Sequence, residues 1–157
     1  MAKPTPPPPA GKIAGIDFGT VRIGIAICDP ERIMAFPYEV YRRRSERLDL
    51  ERFQELVRSE QIVHFVLGLP LHNSGELSDK AREAIEFGDK LVEATGLTID
   101  YVDERFTSRE AESYLRQGNL NAKKRKEKLD AVAAQIILAT YLERGCVGTT
   151  DFLALDD

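Results

Sequence analysis

Three acidic residues lie far apart in this chain, each at the edge of a predicted element: Asp17 in Gly15-Ile-Asp-Phe-Gly-Thr20, Glu104 in Asp103-Glu-Arg-Phe-Thr107, and Asp130 in Lys128-Leu-Asp-Ala-Val132. Carboxylates gathered at one edge of a sheet suit metal-dependent phosphodiester cleavage. Magnesium prefers oxygen ligands, keeps several waters and is usually held by one or two carboxylates plus substrate phosphates. Two such ions can activate the attacking water and neutralise the leaving oxygen.

Each carboxylate also has a plainer reading. Asp17 could shape the hairpin turn that follows it, and its Asp-Phe-Gly-Thr segment is similar to the first phosphate loop of the actin, Hsp70 and sugar-kinase ATPases. Against an ATPase stand the short chain and the lack of a second Gly-rich phosphate loop in the C-terminal half. Glu104 precedes a predicted helix and would be favoured by its N-terminal dipole. Asp130 could be a helix N-terminal acid or pair with Lys128 or an arginine. Asp103 competes with Glu104, because strand alternation sends the two to opposite faces and the pattern alone does not choose.

Basic residues flank the three acids. Arg22 closes the first hairpin turn, Arg42-Arg-Arg44 ends the third predicted strand, and Arg105 follows Glu104. Lys123, Lys124, Arg125, Lys126 and Lys128 precede Asp130. Such clusters can neutralise phosphates, although a solvated face is the ordinary meaning of a charge run. The 123–128 run reads as a linker, mobile without substrate, so that Asp130 is fully positioned only when nucleic acid binds. His64 and His72 have no zinc-ligand spacing, and no Ser-His-Asp arrangement suggests nucleophilic catalysis.

The elements that must position these groups follow from periodicity. Apolar runs at 13–18 and 23–28 around Gly19-Thr20-Val21-Arg22 predict a hairpin, and 34–41 predicts a third strand that Pro37 places toward an edge. Gly15, Gly24 and Ala26 would let a helix lie close on one face of the hairpin. Leu50, Phe53, Leu56 and Val57 mark an amphipathic helix. The continuous apolar run 62–67 predicts a central strand, and its loop, Gly68-Leu-Pro-Leu-His-Asn-Ser-Gly75, could carry binding residues or be a plain turn. A long helix ends at Gly96, 97–102 is a fifth strand, and Thr107-Ser-Arg-Glu110 has capping-box spacing for a short helix. The last helix begins at Asp130 and carries Ala134, Ile137 and Tyr141 on the same face, turning that carboxylate inward. The order β-β-β-α-β-α-β-α-α predicts an α/β, ribonuclease H-like fold, a five-stranded mixed sheet with helices on both faces.

At 157 residues and 43% hydrophobic content the chain suits one domain. We divide it into a Pro-rich tail at 1–10, a nuclease domain at 11–144 and a C-terminal tail at 145–157. No apolar run approaches the ~20 residues that span a bilayer, and the N-terminus lacks the apolar core of a signal peptide. A cytoplasmic protein is expected, with Cys28 and Cys146 as free thiols. A net charge of −4 argues against a polycation that coats nucleic acid.

Four blocks together closely resemble the YqgF/RuvX family of nucleases: Gly15-Ile-Asp-Phe-Gly-Thr20 with Gly24-Ile-Ala26, Gly68-Leu-Pro-Leu71 with Gly75, Asp103-Glu-Arg-Phe-Thr107 with Glu110-Ala111, and Lys128-Leu-Asp130 with its helix. They occur in the family's order across Lys12 to Glu143. The resemblance implies that Asp17, Glu104 and Asp130 are the catalytic acidic triad and metal ligands, with Glu104 preferred to Asp103. It also implies a ribonuclease H-like fold and divalent-metal cleavage of phosphodiester bonds. His72 and Ser74 depart from the family's loop. The expectation is an endonuclease using Mg2+ or Mn2+, two ions in all, on structured nucleic acid. Its favoured substrate is the 5′ end of pre-16S rRNA, with branched DNA or non-catalytic nucleic-acid binding as alternatives. The ribosome or its precursor particle is the expected partner, with no membrane, and the protein is a monomer or homodimer.

Overall fold

The computed structural model describes residues 7–104 and 122–148, apart from the side chains of 122–129. β1 (Lys12–Phe18), β2 (Arg22–Cys28) and β3 (Ala35–Arg42) form an antiparallel meander. After α1 (Glu46–Glu60), β4 (Ile62–Leu69) pairs parallel with β1; after α2 (Asp79–Thr95), β5 (Thr98–Asp103) pairs parallel with β4. The sheet order is β3-β2-β1-β4-β5. β3 is an edge strand, as Pro37 requires, and its register shifts beside that proline.

Helix ends follow their local chemistry. Ser45 Oγ accepts from the Leu48 amide and Ser78 Oγ from the Ala81 amide, caps of about 1 kcal/mol each. Gly96, at φ +73, closes α2 with its amide on the Val92 carbonyl. The two helices cover one face of the sheet, where Phe53 meets Phe65 and Phe87 edge-on and Phe18 stacks on Phe87 at 4.7 Å between ring centres.

The opposite face belongs to α3 (Ala122–Glu143), whose buried Ala134, Ile137, Leu138 and Tyr141 pack on Ile13, Ala26, Val66 and Val102. Small residues on the hairpin make that approach close. A Cβ at Gly15 would strike Leu138 and the Ala134 carbonyl, and one at Gly24 would overlap the backbone carbonyl of Asp130. The small-residue stripe read from the sequence is therefore the seat of this helix.

One element differs from expectation. The run 123–128 is not a linker, because α3 already begins at Ala122 and Asp130 lies more than two turns inside it. Ala, Lys, Arg and Glu are good helix formers, and nothing in 122–129 breaks the turn. The short helix expected from Thr107 lies outside the described residues.

Candidate active site

β1, β4 and β5 run parallel, and the crevice beyond their carboxyl ends is where open α/β sheets place ligands. Asp17 is the penultimate residue of β1 and pairs with Gly24 of β2. It shares the α3-facing side of the strand with Gly15, two residues earlier. Glu104 follows the last residue of β5 and lies over Gly68 of β4, where a Cβ would collide with its Oε1 and with Ile137. Asp130 is fixed where the α3 backbone rests on Gly24. A glycine thus makes room at each of two contacts, one under the Glu104 side chain and one under the Asp130 backbone.

Asp17 and Glu104 are hydrogen-bonded to each other. Burial pushes the Glu104 carboxyl up to about 8, reinforced by the charge of Asp17, the hydrogen bond between them and the charge of Asp103. Burial also raises Asp17; the bond to Glu104 opposes that rise and the charge of Asp130 adds to it. The two groups hold one proton between them, with Glu104 the protonated partner. Asp103 is buried at the end of β5 and acts on Glu104 through its charge, so the contact with Asp17 falls to Glu104.

Asp130 is engaged by Arg22, Nε to Oδ2 at 3.1 Å. The sequence offered Arg22 as a phosphate contact without foreseeing this ion pair, since no local pattern joins a hairpin residue to a helix more than 100 positions away. Arg105 lies outside the described residues, as do the side chains of Lys123, Lys124, Arg125, Lys126 and Lys128.

Among the described residues, no three His, Cys, Asp or Glu side chains are drawn closely enough round one point to cage an ion as they stand. The donor chemistry nevertheless suits a hard divalent cation. Two buried carboxyl groups joined by a hydrogen bond, both with raised pKa, and a third carboxylate whose charge acts on Asp17 form an all-oxygen cluster short of positive charge.

Arg43, which the sequence offered with its neighbours as a phosphate contact or a solvated charge, has a structural part that was not foreseen. Its guanidinium donates to the carbonyls of Gly19 and Thr20 at 3.3 and 3.4 Å and to Asp49 Oδ2 at 3.3 Å, and it lies 4.6 Å from the centre of the Phe18 ring. Buried Asp49 also accepts from the Tyr41 hydroxyl at 2.8 Å and the Arg44 amide at 2.9 Å. This node holds the turn immediately after Asp17. Strand alternation was the available signal, because it puts the middle of three arginines on the face opposite its neighbours.

A second polar cluster, unforeseen in the sequence, lies at the other end of α3. The Tyr141 hydroxyl donates to Asp100 Oδ2 at 2.5 Å, His64 Nε2 lies 3.1 Å from the same oxygen, and His64 Nδ1 lies 2.6 Å from Thr98 Oγ1. Hydrogen bonds from His64 and Tyr141 outweigh burial and hold the Asp100 pKa below its ordinary value. Cys28 and Cys146 are free thiols. No helix among the described residues is long and apolar enough to cross a membrane.

Comparison with known proteins places this geometry. A family model described as "RuvX: Holliday junction resolvase" matches residues 11–144. A Rhodopirellula baltica protein named "Putative pre-16S rRNA nuclease" is 46% identical over 136 residues, covering 87% of this chain and 79% of that protein. A Syntrophomonas wolfei protein of the same name is 41% identical, covering 87% and 97%. Among solved structures, Thermus thermophilus RuvC in complex with a Holliday junction superposes with a TM-score of 0.59 at 17% identity, covering 88% of this chain and 98% of that one. Fowlpox virus resolvase with its Holliday junction gives 0.54 at 11% identity, covering 85% and 97%. These structural matches establish a ribonuclease H-like fold. By the family match and the identity to these relatives, the chain belongs to the RuvX (YqgF) family of metal-dependent nucleases.

Proposed function

We propose that Asp17, Glu104 and Asp130 form the catalytic centre of an endonuclease that trims the 5′ end of pre-16S rRNA. The observation that carries this reading is the hydrogen-bonded Asp17–Glu104 pair, on the sheet face that also receives Asp130. The names of the most similar relatives favour the RNA substrate. Asp17, Glu104 and Asp130 would hold Mg2+ or Mn2+, two ions in all, and the chemistry supplied there would be activation of water and neutralisation of the leaving oxygen.

The protein's own part is placement. Gly68 and Gly24 let Glu104 and the α3 backbone approach the sheet, and Arg43 fixes the turn after Asp17. Glu104 must release its proton for both carboxylates to act as ligands. Arg22, on the rim beside Asp130, is positioned to meet a substrate phosphate. Phosphate contacts fix position and carry no base code, so substrate choice must come from nucleic-acid shape and from the precursor particle. The cytoplasm, where that precursor is assembled, is the corresponding location.

A four-way DNA junction is the second reading, favoured by the family description and by fold likeness to a junction-bound resolvase. A two-fold junction would require a homodimer, whereas an RNA end needs one subunit. The deciding experiment incubates wild type and Asp17→Asn with pre-16S rRNA, single-stranded RNA and DNA, and a synthetic junction, with and without Mg2+. Mg2+-dependent cleavage of the precursor by wild type alone is expected. Cleavage of the junction alone would transfer the assignment to DNA, and equal cleavage by Asp17→Asn would end the proposal.

A further inference from the structure

Arg22 and Arg42 are directly opposed across the antiparallel β2–β3 pair. Opposed side chains project from the same face, and like charges in that position are destabilising unless an anion intervenes. Asp130 meets Arg22 from the α3 side. Arg42 is exposed and has no carboxylate partner among the described residues, so one of the two charges is left unmatched at the rim of the acidic cluster.

The run continues unevenly. Arg43 turns to the opposite face and is consumed by Asp49, the Gly19 and Thr20 carbonyls and Phe18. Arg44 is again exposed and without a carboxylate partner among the described residues. Beside it a groove of about 640 Å³ opens between β3 and α1. The acids on its walls already have arginine partners: Arg52 binds both oxygens of Glu39 at 2.7 and 3.0 Å and lies 3.9 Å from Glu55, and Arg47 lies 3.5 Å from Glu51. Arg42 and Arg44, two residues apart on one run of chain, are the cations at this end without a carboxylate partner among the described residues.

We propose that Arg42 and Arg44 form a phosphate track, which receives the nucleic-acid backbone flanking the scissile bond and carries it past Arg22, over the end of β3, into the groove against α1. The proposal rests on the nuclease reading above and adds a direction to it. The flanking strand leaves across the meander, on the side of the sheet away from β4 and β5. Arginine suits the task because its planar donors pair with phosphate oxygens and retain their charge throughout the physiological range.

The test is fluorescence anisotropy with labelled pre-16S rRNA carrying its flanking sequence and the same RNA trimmed close to the cleavage point, at several salt concentrations. Arg42→Ala/Arg44→Ala is expected to weaken binding of the long RNA about tenfold and reduce the slope of log K against log salt by about 1–2. The weakening should shrink toward nothing on the trimmed RNA, and Arg42→Lys/Arg44→Lys should restore the slope. Wild-type affinity and slope in the alanine variant, or a lysine variant as weak as the alanine one, would overturn the track and leave the nuclease reading intact. Wild-type protein that bound neither RNA would overturn both.

Discussion

Helix α3 meets a polar cluster at each of two places, at Asp130 toward its middle and at Tyr141 near its C-terminus, and the two are built on opposite principles. At one, Asp100 is a single carboxylate served by Tyr141 and His64, and its proton affinity is lowered. At the other, Asp17 and Glu104 are two carboxyl groups competing for one proton, with Asp130 adding a third charge, and proton affinity is raised. A satisfied buried network stabilises the fold that contains it; a cluster of like charges draws on that stability to hold groups ready for a ligand. The comparison separates what holds the helix from what the helix presents.

The largest effect should come from neutralising the charged end. Asp17→Asn or Glu104→Gln is expected to reduce Mg2+-dependent cleavage at least about a thousandfold while the melting temperature without metal stays level or rises. A large fall in melting temperature in either variant would erase the contrast. At the satisfied end the expectation reverses. Asp100→Ala removes the acceptor shared by the Tyr141 hydroxyl and His64 Nε2, leaving the two only each other, and should cost about 2 kcal/mol in urea unfolding, with cleavage per folded molecule retained. Loss of rate without loss of stability would show that the far cluster takes part in the chemistry.

A smaller effect should strike both properties together. Gly24→Ala forces a methyl group into the Asp130 carbonyl, and overpacking of this kind costs about 1–3 kcal/mol. Cleavage should fall with it, because the backbone that must shift is the one bearing Asp130. Stability loss at full activity would mean that the helix repositions without moving the site.

The pH dependence of stability has opposite signs at the two clusters. Glu104 binds its proton more tightly folded than unfolded, so in metal-free protein its contribution is full below the ordinary value of 4.5 and is lost as pH rises to about 8. Asp100 is the reverse: its contribution is full above 3.8 and is lost as pH falls through the lowered folded value. Melting curves in EDTA should show wild type losing more stability than Glu104→Gln between pH 4.5 and 8, by several kcal/mol. Parallel curves would remove the proposed competition for a proton.

How legible these two ends were in the sequence differs for a physical reason. Asp17 and Glu104 each stand at a recognisable strand end, and Gly15 and Gly24 announced a helix close to the hairpin; Asp130 was singled out although its helix begins more than two turns earlier. The Tyr141 hydroxyl meets His64 across 77 positions of chain and Asp100 across 41, and no local period encodes such a meeting. The start of α3 was misread because a run of lysines and arginines has the composition of a solvated linker and of a helix alike. The Arg22–Asp130 ion pair was not legible because it depends on how the helix lies over the meander, which alternation does not give.

The seating of α3 also limits how this protein can vary. Asp130 over Gly24, Leu138 over Gly15 and Tyr141 against His64 and Asp100 are three points of one register. Losing one residue between Asp130 and Tyr141 would leave a good helix, yet it would turn one end about 100° relative to the other. Side chains along that stretch can be exchanged with repacking, but its length cannot change by a single residue. Lineages carrying this fold are therefore expected to tolerate substitutions there while excluding insertions and deletions.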